Sequence, residues 1–217
     1  MITFALPTGR SLQDCITILE GSGLPVERLR APGRNLVIEE GNMRYMLSKP
    51  SDIPAIAYYG AADLALIGCD VTAESGISLA ELLDTGYGKC VMAVAGPEEA
   101  AAKFARGARG IMGLRVATKY VRIAEQTFEN WGAQVKILKL NGSVELAPAL
   151  GLGDCIFDIV QTGRTLKANG LSVIKETMPV SLRLVSGPGT VQTKWRNIFG
   201  VLGAMRNYIK NGGGAAQ

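Results

Sequence analysis

Short apolar runs and amphipathic segments alternate along almost the whole chain. Residues 2–6 have the composition of a buried strand, and residues 11–19 carry apolar side chains at the spacing of one helical face. The same order returns at 114–117 and 121–131. Alternation of this kind favours an α/β fold with a largely parallel sheet.

The same patterns predict the remaining elements. Further strands are expected at 36–38, 43–47, 64–67, 91–95, 134–138, 156–160, 173–177 and 182–185. Further helices are expected at 54–59, 97–105, 144–150, 166–169 and 191–208. The sequence GPGT at 187–190 is interpreted as a turn before the last helix, and the tail at 211–217 as unstructured.

Two pairs of segments are similar between the halves of the chain. The similar pairs are 2–21 with 114–132 and 62–70 with 157–165, the second of which aligns Asp63 with Asp158 and Gly68 with Gly163. Two similar lobes are therefore expected. Such lobes bind ligands in the cleft between them, outside the carboxyl ends of their strands. The turns expected to face that cleft are 7–10, 68–70, 118–120 and 162–166.

Composition excludes several classes of protein. The net charge of +4 is spread over 217 residues without a dense basic run, so nucleic acid is not an expected partner, and no apolar run is long enough to cross a membrane. There is no histidine, and the four cysteines are far apart, which argues against a zinc site and an imidazole mechanism. The start MITFALPTGR does not resemble a signal peptide, so we expect reduced thiols and a cytoplasmic location.

The strongest local motif is DIVQTGRTL at 158–166. A strand that runs through a Thr-Gly-Arg-Thr turn into a helix offers free backbone N–H groups, two hydroxyls and a cation, which together suit a phosphate. Asp158, at the end of the strand, suits sugar hydroxyls. The alternative is a helix start that Thr162 caps. Neither a Walker loop nor a GxGxxG motif after the first strand is present.

Other turns supply weaker candidates. A second possible anion site follows the first strand at Pro7, Gly9 and Arg10, with a capped helix start as its alternative. Asp70 suits an amino group or a ribose, or is a solvated acid. The remaining cations are Lys119, for a phosphate or as a solvated side chain, and Arg34, in a loop from which an arginine could reach a cleft. Glu145 and Asp154 flank the strand of Asp158 and are expected to order a loop or to lie near Mg²⁺.

Taken together, these motifs resemble the short form of the ATP phosphoribosyltransferase catalytic subunit. The similar segments are ALPTGRSL (5–12), KPSDIP (49–54), YGAADLALIGCDV (59–71), LDTGYGKC (83–90), RVATKYVRIAEQTF (115–128) and NGSVELAPALGLGDCIFDIVQTGRTLKANGL (141–171). The resemblance covers roughly residues 2–205. It implies an α/β, two-lobed fold like that of type II periplasmic binding proteins, with the active site in the inter-lobe cleft. It also implies transfer of a phosphoribosyl group from phosphoribosyl pyrophosphate to N1 of the adenine of ATP, with release of pyrophosphate.

The resemblance assigns roles to the candidates. Catalytic contacts to the phosphates are expected from Arg10, Arg34 and Lys49. Phosphoribosyl pyrophosphate is expected to contact Glu145, Asp154, Asp158, Ile159, Val160, Gln161, Thr162, Gly163, Arg164 and Thr165. ATP is expected to contact Leu6, Pro7, Gly9, Arg10, Gly68, Asp70 and Lys119. Mg²⁺ is expected on the substrate phosphates, with no metal ligand from the protein.

The resemblance also implies the assembly. The ATP lobe is expected to comprise 1–91 with 180–217, and the phosphoribosyl pyrophosphate lobe 92–179. A homodimer is expected to assemble with a regulatory subunit related to histidyl-tRNA synthetase. The alternatives are a solute-binding protein of the same fold, a phosphoribosyltransferase acting on another base, and a regulatory homologue without activity.

Overall fold

The computed structural model describes residues 1–213, so the last four residues of the predicted tail, 214–217, lie outside the described residues. The chain divides into two units. Unit 1 consists of Met1–Lys89 and the chain from Ser181 onward, and unit 2 of Cys90–Val180. The division expected from the sequence placed the two boundaries after residues 91 and 179.

Strands and helices alternate in both units. The strands are β1 Ile2–Pro7, β2 Val37–Glu40, β3 Met43–Ser48, β4 Leu64–Gly68, β5 Ala80–Asp84, β6 Cys90–Gly96, β7 Arg115–Thr118, β8 Lys136–Lys139, β9 Cys155–Val160, β10 Ser172–Val180 and β11 Leu182–Ser186. The helices are α1 Ser11–Gly21, α2 Glu27–Arg30, α3 Ile53–Tyr58, α4 Cys69–Ser75, α5 Glu98–Phe104, α6 Ala108–Ile111, α7 Val121–Asn130, α8 Arg164–Ala168 and α9 Pro188–Tyr208.

Each unit contains one mixed sheet. The order in unit 1 is β2-β3-β1-β4-β11-β5, and the order in unit 2 is β10-β6-β9-β7-β8. Three strands in each sheet are parallel, namely β3-β1-β4 and β8-β7-β9. The expectation of a largely parallel sheet is therefore only partly right. The chain enters unit 2 at β6 and re-enters unit 1 at β11. Each of these strands begins beside the carboxyl end of a parallel strand, β9 for β6 and β4 for β11, and therefore runs antiparallel to it.

The two sheets have the same topology. The order β3-β1-β4-β11-β5 corresponds to β8-β7-β9-β6-β10, with the same pattern of parallel and antiparallel neighbours. The prediction of two similar lobes is confirmed, and so is the prediction of a two-lobed α/β fold.

The register of the two sheets corrects the predicted alignment within the repeat. Phe4 pairs with Leu64 in unit 1, and Val116 pairs with Cys155 in unit 2, so Asp63 corresponds to Asp154. The alignment of Asp63 with Asp158 is therefore wrong. Aliphatic strand residues look alike in sequence, so their spacing does not reveal a shift of four positions.

The two corresponding aspartates make the same contacts. Asp63 accepts a hydrogen bond from the N–H of Thr3 (2.9 Å), whose carbonyl accepts one from the N–H of Asp63 (2.8 Å). Asp154 exchanges the equivalent pair with Arg115, at 2.8 and 2.7 Å. Each aspartate also pairs with a cation, Asp63 with Lys194 at 2.7 Å and Asp154 with Arg115 at 3.2 Å. Both carboxylates thus fasten the amino end of a central strand to its neighbour.

The helices cover the sheets with the faces that their apolar spacing predicts. In unit 1, α9 buries Ile198, Val201, Leu202 and Met205 in the same core as Ile18 and Leu19 of α1. In unit 2, α8 and the 3₁₀ turn Val144–Leu146 cover one face of the sheet through Leu166 and Val144. These contacts hold the start of α1 beside the end of β1 and the start of α8 beside the end of β9.

Several elements differ from the prediction. The expected helix at 144–150 is only the short turn Val144–Leu146, and α8 begins two residues earlier than expected. The GPGT sequence is not a separate turn, because Pro188 occupies the first position of α9, where its missing N–H costs nothing. The first three residues of the predicted tail, 211–213, belong to a π-helical turn, Ile209–Gly213.

Candidate active site

Three predicted sites in unit 1 lie at one edge of its sheet. Because β1, β3 and β4 are parallel, their carboxyl ends meet there. Pro7 pairs with Ser48, and the N–H of Thr8 donates to the carbonyl of Ser48 (2.8 Å), so the turn with Arg10 adjoins the turn with Lys49. Both cations are exposed. The edge therefore presents two positive charges from neighbouring turns.

The turn before α1 leaves its backbone open. Gly9 has φ +88° and no atom within 4 Å of the position of a Cβ. Among residues 1–213, no side chain caps α1 by a hydrogen bond. The N–H of Leu12 donates to the carbonyl of Gly9 (3.2 Å), which closes the turn through backbone. Within this range, no side chain thus competes with a ligand for the first N–H groups of the helix, as an anion site requires. Pro7 and Leu6 are both buried. Because the side chain of Leu6 packs in the core, this residue offers a ligand only its backbone.

Arg34 lies in the loop before β2. The N–H of Asn35 donates to the carbonyl of Pro32 (3.0 Å), which forms a tight turn around Arg34. The N–H of Leu47 donates to the carbonyl of Leu36 (2.8 Å), so this loop lies beside the carboxyl end of β3. Arg34 is exposed and adds a third cation to the edge.

The turn at 68–70 differs in character from the other two. Asp70 is 4% exposed, so the alternative of a solvated turn acid is wrong. A Cβ on Gly68 would collide with the Asp70 carboxylate, which explains the glycine at this position. The buried carboxylate therefore packs against the backbone of the turn and fixes its shape.

One pair of polar side chains at this edge was not predicted. The Ser181 hydroxyl donates to the Asp84 carboxylate (2.8 Å), and the N–H of Cys69 donates to the carbonyl of Ser181 (3.1 Å). These bonds join the ends of β4, β5 and β11. The segment LDTGYGKC carried the resemblance, but β5 alternates only weakly and was not recognised as a strand.

In unit 2, the carboxyl ends of β7, β8 and β9 also share one edge, since these strands are parallel. Lys119 follows β7, and its ammonium lies 4.7 Å from the centre of the Tyr120 ring. The Thr118 hydroxyl accepts the N–H of Tyr120 (2.8 Å), which shapes this turn. Lys119 is exposed and therefore accessible to an anion.

The turn after β9 is centred on Gly163. This residue has φ +66°, and no atom lies within 4 Å of the position of a Cβ. It is also the residue at the cap position of α8, and among residues 1–213 no side chain caps that helix by a hydrogen bond. The alternative in which Thr162 is the helix cap is therefore not observed. Thr162, Arg164 and Thr165 are all exposed.

Asp158 is half-buried beside this turn. Its carboxylate accepts the N–H of Ile159 (2.8 Å). Side chains alternate along a strand, so Asp158 shares a face with Ile156 and Val160, which pack with Leu166 of α8 and with Val144. Glu145 follows Val144 in the turn over the same face. The structure thus brings Asp158, Glu145 and the Gly163 turn to one region.

Asp154 does not belong to that region. It precedes β9 and lies at its amino end, whereas residues 161–165 follow the carboxyl end. The Arg115 guanidinium hydrogen-bonds to the Asp154 carboxylate and lowers its pKa below the usual value, and Lys103 lies 3.9 Å away. The structure therefore does not bring Asp154 together with Asp158 and the Gly163 turn, and its carboxylate fastens β9 to β7.

Residues 1–213 contain neither a cluster of metal-ligating side chains nor a membrane-spanning helix. No group of three or more acidic, cysteine or histidine side chains is arranged to hold a metal ion. Within the same range, no helix combines the length and apolar character needed to cross a membrane.

Known proteins resemble the chain in sequence. A family model described as ATP phosphoribosyltransferase matches residues 49–207. The ATP phosphoribosyltransferase of Caldanaerobacter subterraneus subsp. tengcongensis is 40% identical over 214 residues, which are 98% of this chain and 99% of that protein. The protein of the same name from Rubrobacter xylanophilus is 38% identical over 204 residues, or 94% of each chain.

Solved structures resemble the fold. A chain of the ATP phosphoribosyl transferase (HisG:HisZ) complex from Thermotoga maritima superposes with a TM-score of 0.81 at 31% identity, covering 97% of this chain and all of that one. The periplasmic aliphatic sulphonate binding protein SsuA from Escherichia coli gives 0.60 at 12% identity, over 97% of this chain and 73% of that one. The second likeness concerns the fold alone.

Proposed function

Because the chain belongs to the ATP phosphoribosyltransferase family, we propose that its two sheet edges divide the substrates of that reaction between them. The family performs the first step of histidine biosynthesis, so the chain is a pentosyltransferase. Phosphoribosyl pyrophosphate binds at the carboxyl edge of unit 2 in this proposal, and ATP at the carboxyl edge of unit 1. Lys119 is a further candidate contact for ATP.

The 5-phosphate of phosphoribosyl pyrophosphate occupies the Gly163 turn. The observation that carries this assignment is the open, uncapped backbone of that turn, next to a half-buried carboxylate on the same strand. Backbone N–H groups, the hydroxyls of Thr162 and Thr165 and the Arg164 guanidinium supply donors of the kind that phosphate oxygens accept.

Acidic side chains hold the ribose. The Asp158 carboxylate accepts hydrogen bonds from ribose hydroxyls, and Glu145, over the same face of the sheet, completes the acceptor set. Residues 159–161 contribute backbone groups, since the side chain of Ile159 lies on the opposite face from Asp158. Sugar hydroxyls and phosphate are then recognised by different chemistry within one strand and turn.

The cations of unit 1 assist departure of pyrophosphate. Adenine N1 carries a lone pair and needs no general base, so the barrier lies in breaking the bond from ribose C1 to the leaving oxygen. Negative charge grows on the pyrophosphate as this bond breaks. Arg10, Arg34 and Lys49, exposed on three adjoining segments, stabilise that charge or the triphosphate of ATP. The turns at 7–9 and 68–70 position the nucleotide.

Mg²⁺ enters this scheme with the phosphates. The donors at the Gly163 turn and at the edge of unit 1 are mainly cations, hydroxyls and N–H groups, which fit phosphate oxygens better than a metal ion. A bound Mg²⁺ supplies neutralisation of phosphate charge. The protein groups named above bind and orient the oxygens that remain.

The assembly follows the solved relative. We propose a homodimer that joins a regulatory subunit related to histidyl-tRNA synthetase, supported by the HisG:HisZ complex, whose chain is matched over its whole length. All four cysteines are free thiols, which supports a reducing compartment such as the cytoplasm.

Two variants test the phosphoribosyl assignment. Thr162→Val and Asp158→Asn should each weaken binding of phosphoribosyl pyrophosphate with Mg²⁺ by about tenfold or more, because each loses a hydrogen bond that involves a charged group. Isothermal titration calorimetry measures this, and absorbance of the N1-ribosylated adenine measures turnover with the regulatory subunit added.

Thr127→Val is the matched control. The hydroxyl of Thr127 donates only to the carbonyl of Ile123 within α7, at 2.7 Å, so its loss should leave substrate affinity unchanged. ATP affinity should stay the same in all three variants. Unchanged affinity for phosphoribosyl pyrophosphate in both site variants would refute the assignment.

A further inference from the structure

Unit 2 has a cavity lined by residues of α5, α6 and β10. Its volume is about 570 Å³, within the range of roughly 300–1,000 Å³ that holds small organic ligands. Small residues of α5, α6 and the link between them leave the space open, namely Ala101, Ala105, Gly107 and Ala108. Phe104 and Trp131 give the cavity an aromatic wall, and Ile111 and residues 173–175 of β10 complete the lining.

The aromatic wall is rigid. Phe104 meets the Trp131 ring edge-on, with centroids 6.3 Å apart and an interplanar angle of 88°. Phe128 packs against Trp131 as well, at 5.1 Å and 73°. Trp131 is therefore held in place by two rings, and a ligand ring could pack beside it without ordering a mobile side chain.

A β-bulge directs a cation to this wall. Val173 pairs with Ala95 and Lys175 with Val94, so one extra residue is inserted into β10. Bulges redirect side chains and are frequent at functional sites. Here residues 173, 174 and 175 all line the cavity, and the Lys175 ammonium lies 4.0 Å from the centre of the Trp131 ring.

Of the described residues that line the cavity, Lys175 is the one with a charged side chain. Among residues 1–213, Lys175 makes no ion pair with a carboxylate. The exposed cations Arg106 and Arg109 flank lining residues on the link and on α6. The acidic residues of α5, Glu98 and Glu99, lie in its first turn, at the far end from Phe104. A carboxylate in the cavity would thus meet an ammonium that no ion pair within residues 1–213 occupies.

The cavity is separate from the proposed substrate site of unit 2. Lys175 precedes Val180 by five residues on β10, roughly 16 Å along the strand. Val180 pairs with Cys90 beside the carboxyl end of β9, whereas residues 173–175 pair beside its amino half. A molecule in the cavity would not contact the Gly163 turn.

We propose that this cavity is a second ligand site, which binds a small aromatic carboxylate. The ring packs against Phe104 and Trp131 over the alanine surface of α5, and the carboxylate pairs with the Lys175 ammonium. The site is independent of the assignment of the substrate edges.

The test uses 3-phenylpropanoate and its neutral counterpart 3-phenylpropanol as probes. The chain contains two tryptophans, so the full-length Trp195→Phe protein reports through Trp131 alone. Titration of fluorescence should show saturable binding of the acid, roughly three- to fivefold tighter than that of the alcohol, as one partly exposed ion pair provides. Lys175→Met should abolish this preference, and Lys136→Met, a change at an exposed lysine of β8, should preserve it.

A pair of alanine variants locates the bound probe. Ala105→Phe fills the cavity and should abolish binding, whereas Ala102→Phe, on an exposed position of α5 outside the cavity, should not. ATP and phosphoribosyl pyrophosphate with Mg²⁺ should not displace the probe. The proposal is overturned by the absence of saturable binding, by unchanged binding in Ala105→Phe, or by displacement with either substrate.

Discussion

At the scale of single residues, the phosphoribosyl site depends on the backbone of Gly163. Its φ of +66° suits glycine, and the free space around it means that an added methyl group meets only backbone strain. Gly163→Ala should therefore cost roughly 1 kcal/mol of folding free energy and weaken binding of phosphoribosyl pyrophosphate several-fold by distorting the turn.

Gly170 offers a matched comparison at the other end of α8. It has φ +68° and equally open surroundings. Gly170→Ala should show a similar loss in urea unfolding, but substrate affinity close to that of the unaltered protein. An equal loss of affinity in both variants would mean that the Gly163 turn has no special contact with the phosphate.

Asp154 supports a prediction about acid stability. The hydrogen bond from Arg115 is the main reason that the pKa of Asp154 is lowered in the folded protein. Its ionised carboxylate therefore contributes to folding stability above the pKa of the unfolded chain, about 3.9. That contribution is lost as the pH falls through the lower pKa of the folded protein. At pH values below about 4, the free energy of unfolding should therefore decrease with falling pH. The decrease should be less steep in Asp154→Asn than in the unaltered protein.

Urea unfolding between pH 3 and pH 7 measures that slope. The same variant should bind phosphoribosyl pyrophosphate normally at pH 7, because Asp154 lies at the opposite end of β9 from the proposed site. Parallel acid slopes in the two proteins, or a loss of substrate binding in the variant, would contradict the structural role.

At the scale of elements, the start of α9 depends on close packing against α3. A Cβ on Gly187 would collide with the carbonyl oxygen of Ala57 and lie 3.2 Å from that of Tyr58. Because backbone atoms cannot move aside cheaply, Gly187→Ala should destabilise the protein by about 1–3 kcal/mol.

Gly189, two residues later, lies inside the helix, and a Cβ there would meet no other part of residues 1–213 within 4 Å. Gly189→Ala should instead stabilise the protein by about 0.5–1 kcal/mol, the usual gain for alanine in a helix. Thermal unfolding followed by circular dichroism distinguishes the two. A similar shift in both variants would mean that the contact with α3 is not tight.

The elements recognised from the sequence are those with strong apolar spacing. The buried run of β4 and the amphipathic α7 were predicted within a residue or two. The strand β5, with no fully buried residue, was missed, as were the short helices α2, α4 and α6. Their positions depend on neighbours distant in sequence, which local spacing does not encode.

The candidate site was predictable where a motif joins a strand to a turn. The Gly163 turn and Asp158 are adjacent in sequence, so their proximity follows from local geometry. Asp154 precedes the predicted strand at 156–160, so its place at the amino end follows from the sequence. Its bond to Arg115 does not, because that bond depends on the pairing of β7 with β9. Asp84 and Ser181 are 97 positions apart and are joined only by the pairing of β5 with β11.

At the scale of the whole molecule, the predicted activity is confirmed by family membership, and the division of substrates is open to direct measurement. Hydrogen exchange should slow at 161–168 and 144–146 when phosphoribosyl pyrophosphate and Mg²⁺ bind, and at 8–12, 49–53 and 68–72 when ATP binds. Exchange within the middle of α7 should stay unchanged. If phosphoribosyl pyrophosphate slowed hydrogen exchange in unit 1 alone, the proposed division of the two substrates between the units would be reversed.

The position of β11 has a consequence for synthesis of the protein. During translation, β4 leaves the ribosome before residues 90–180, but its partner β11 begins only at Leu182. At roughly 5–20 residues per second, the nascent chain waits several seconds with one side of β4 unpaired. Unit 2 is contiguous, so all of its strands are synthesised before unit 1 receives β11, and we expect the sheet of unit 2 to be completed first.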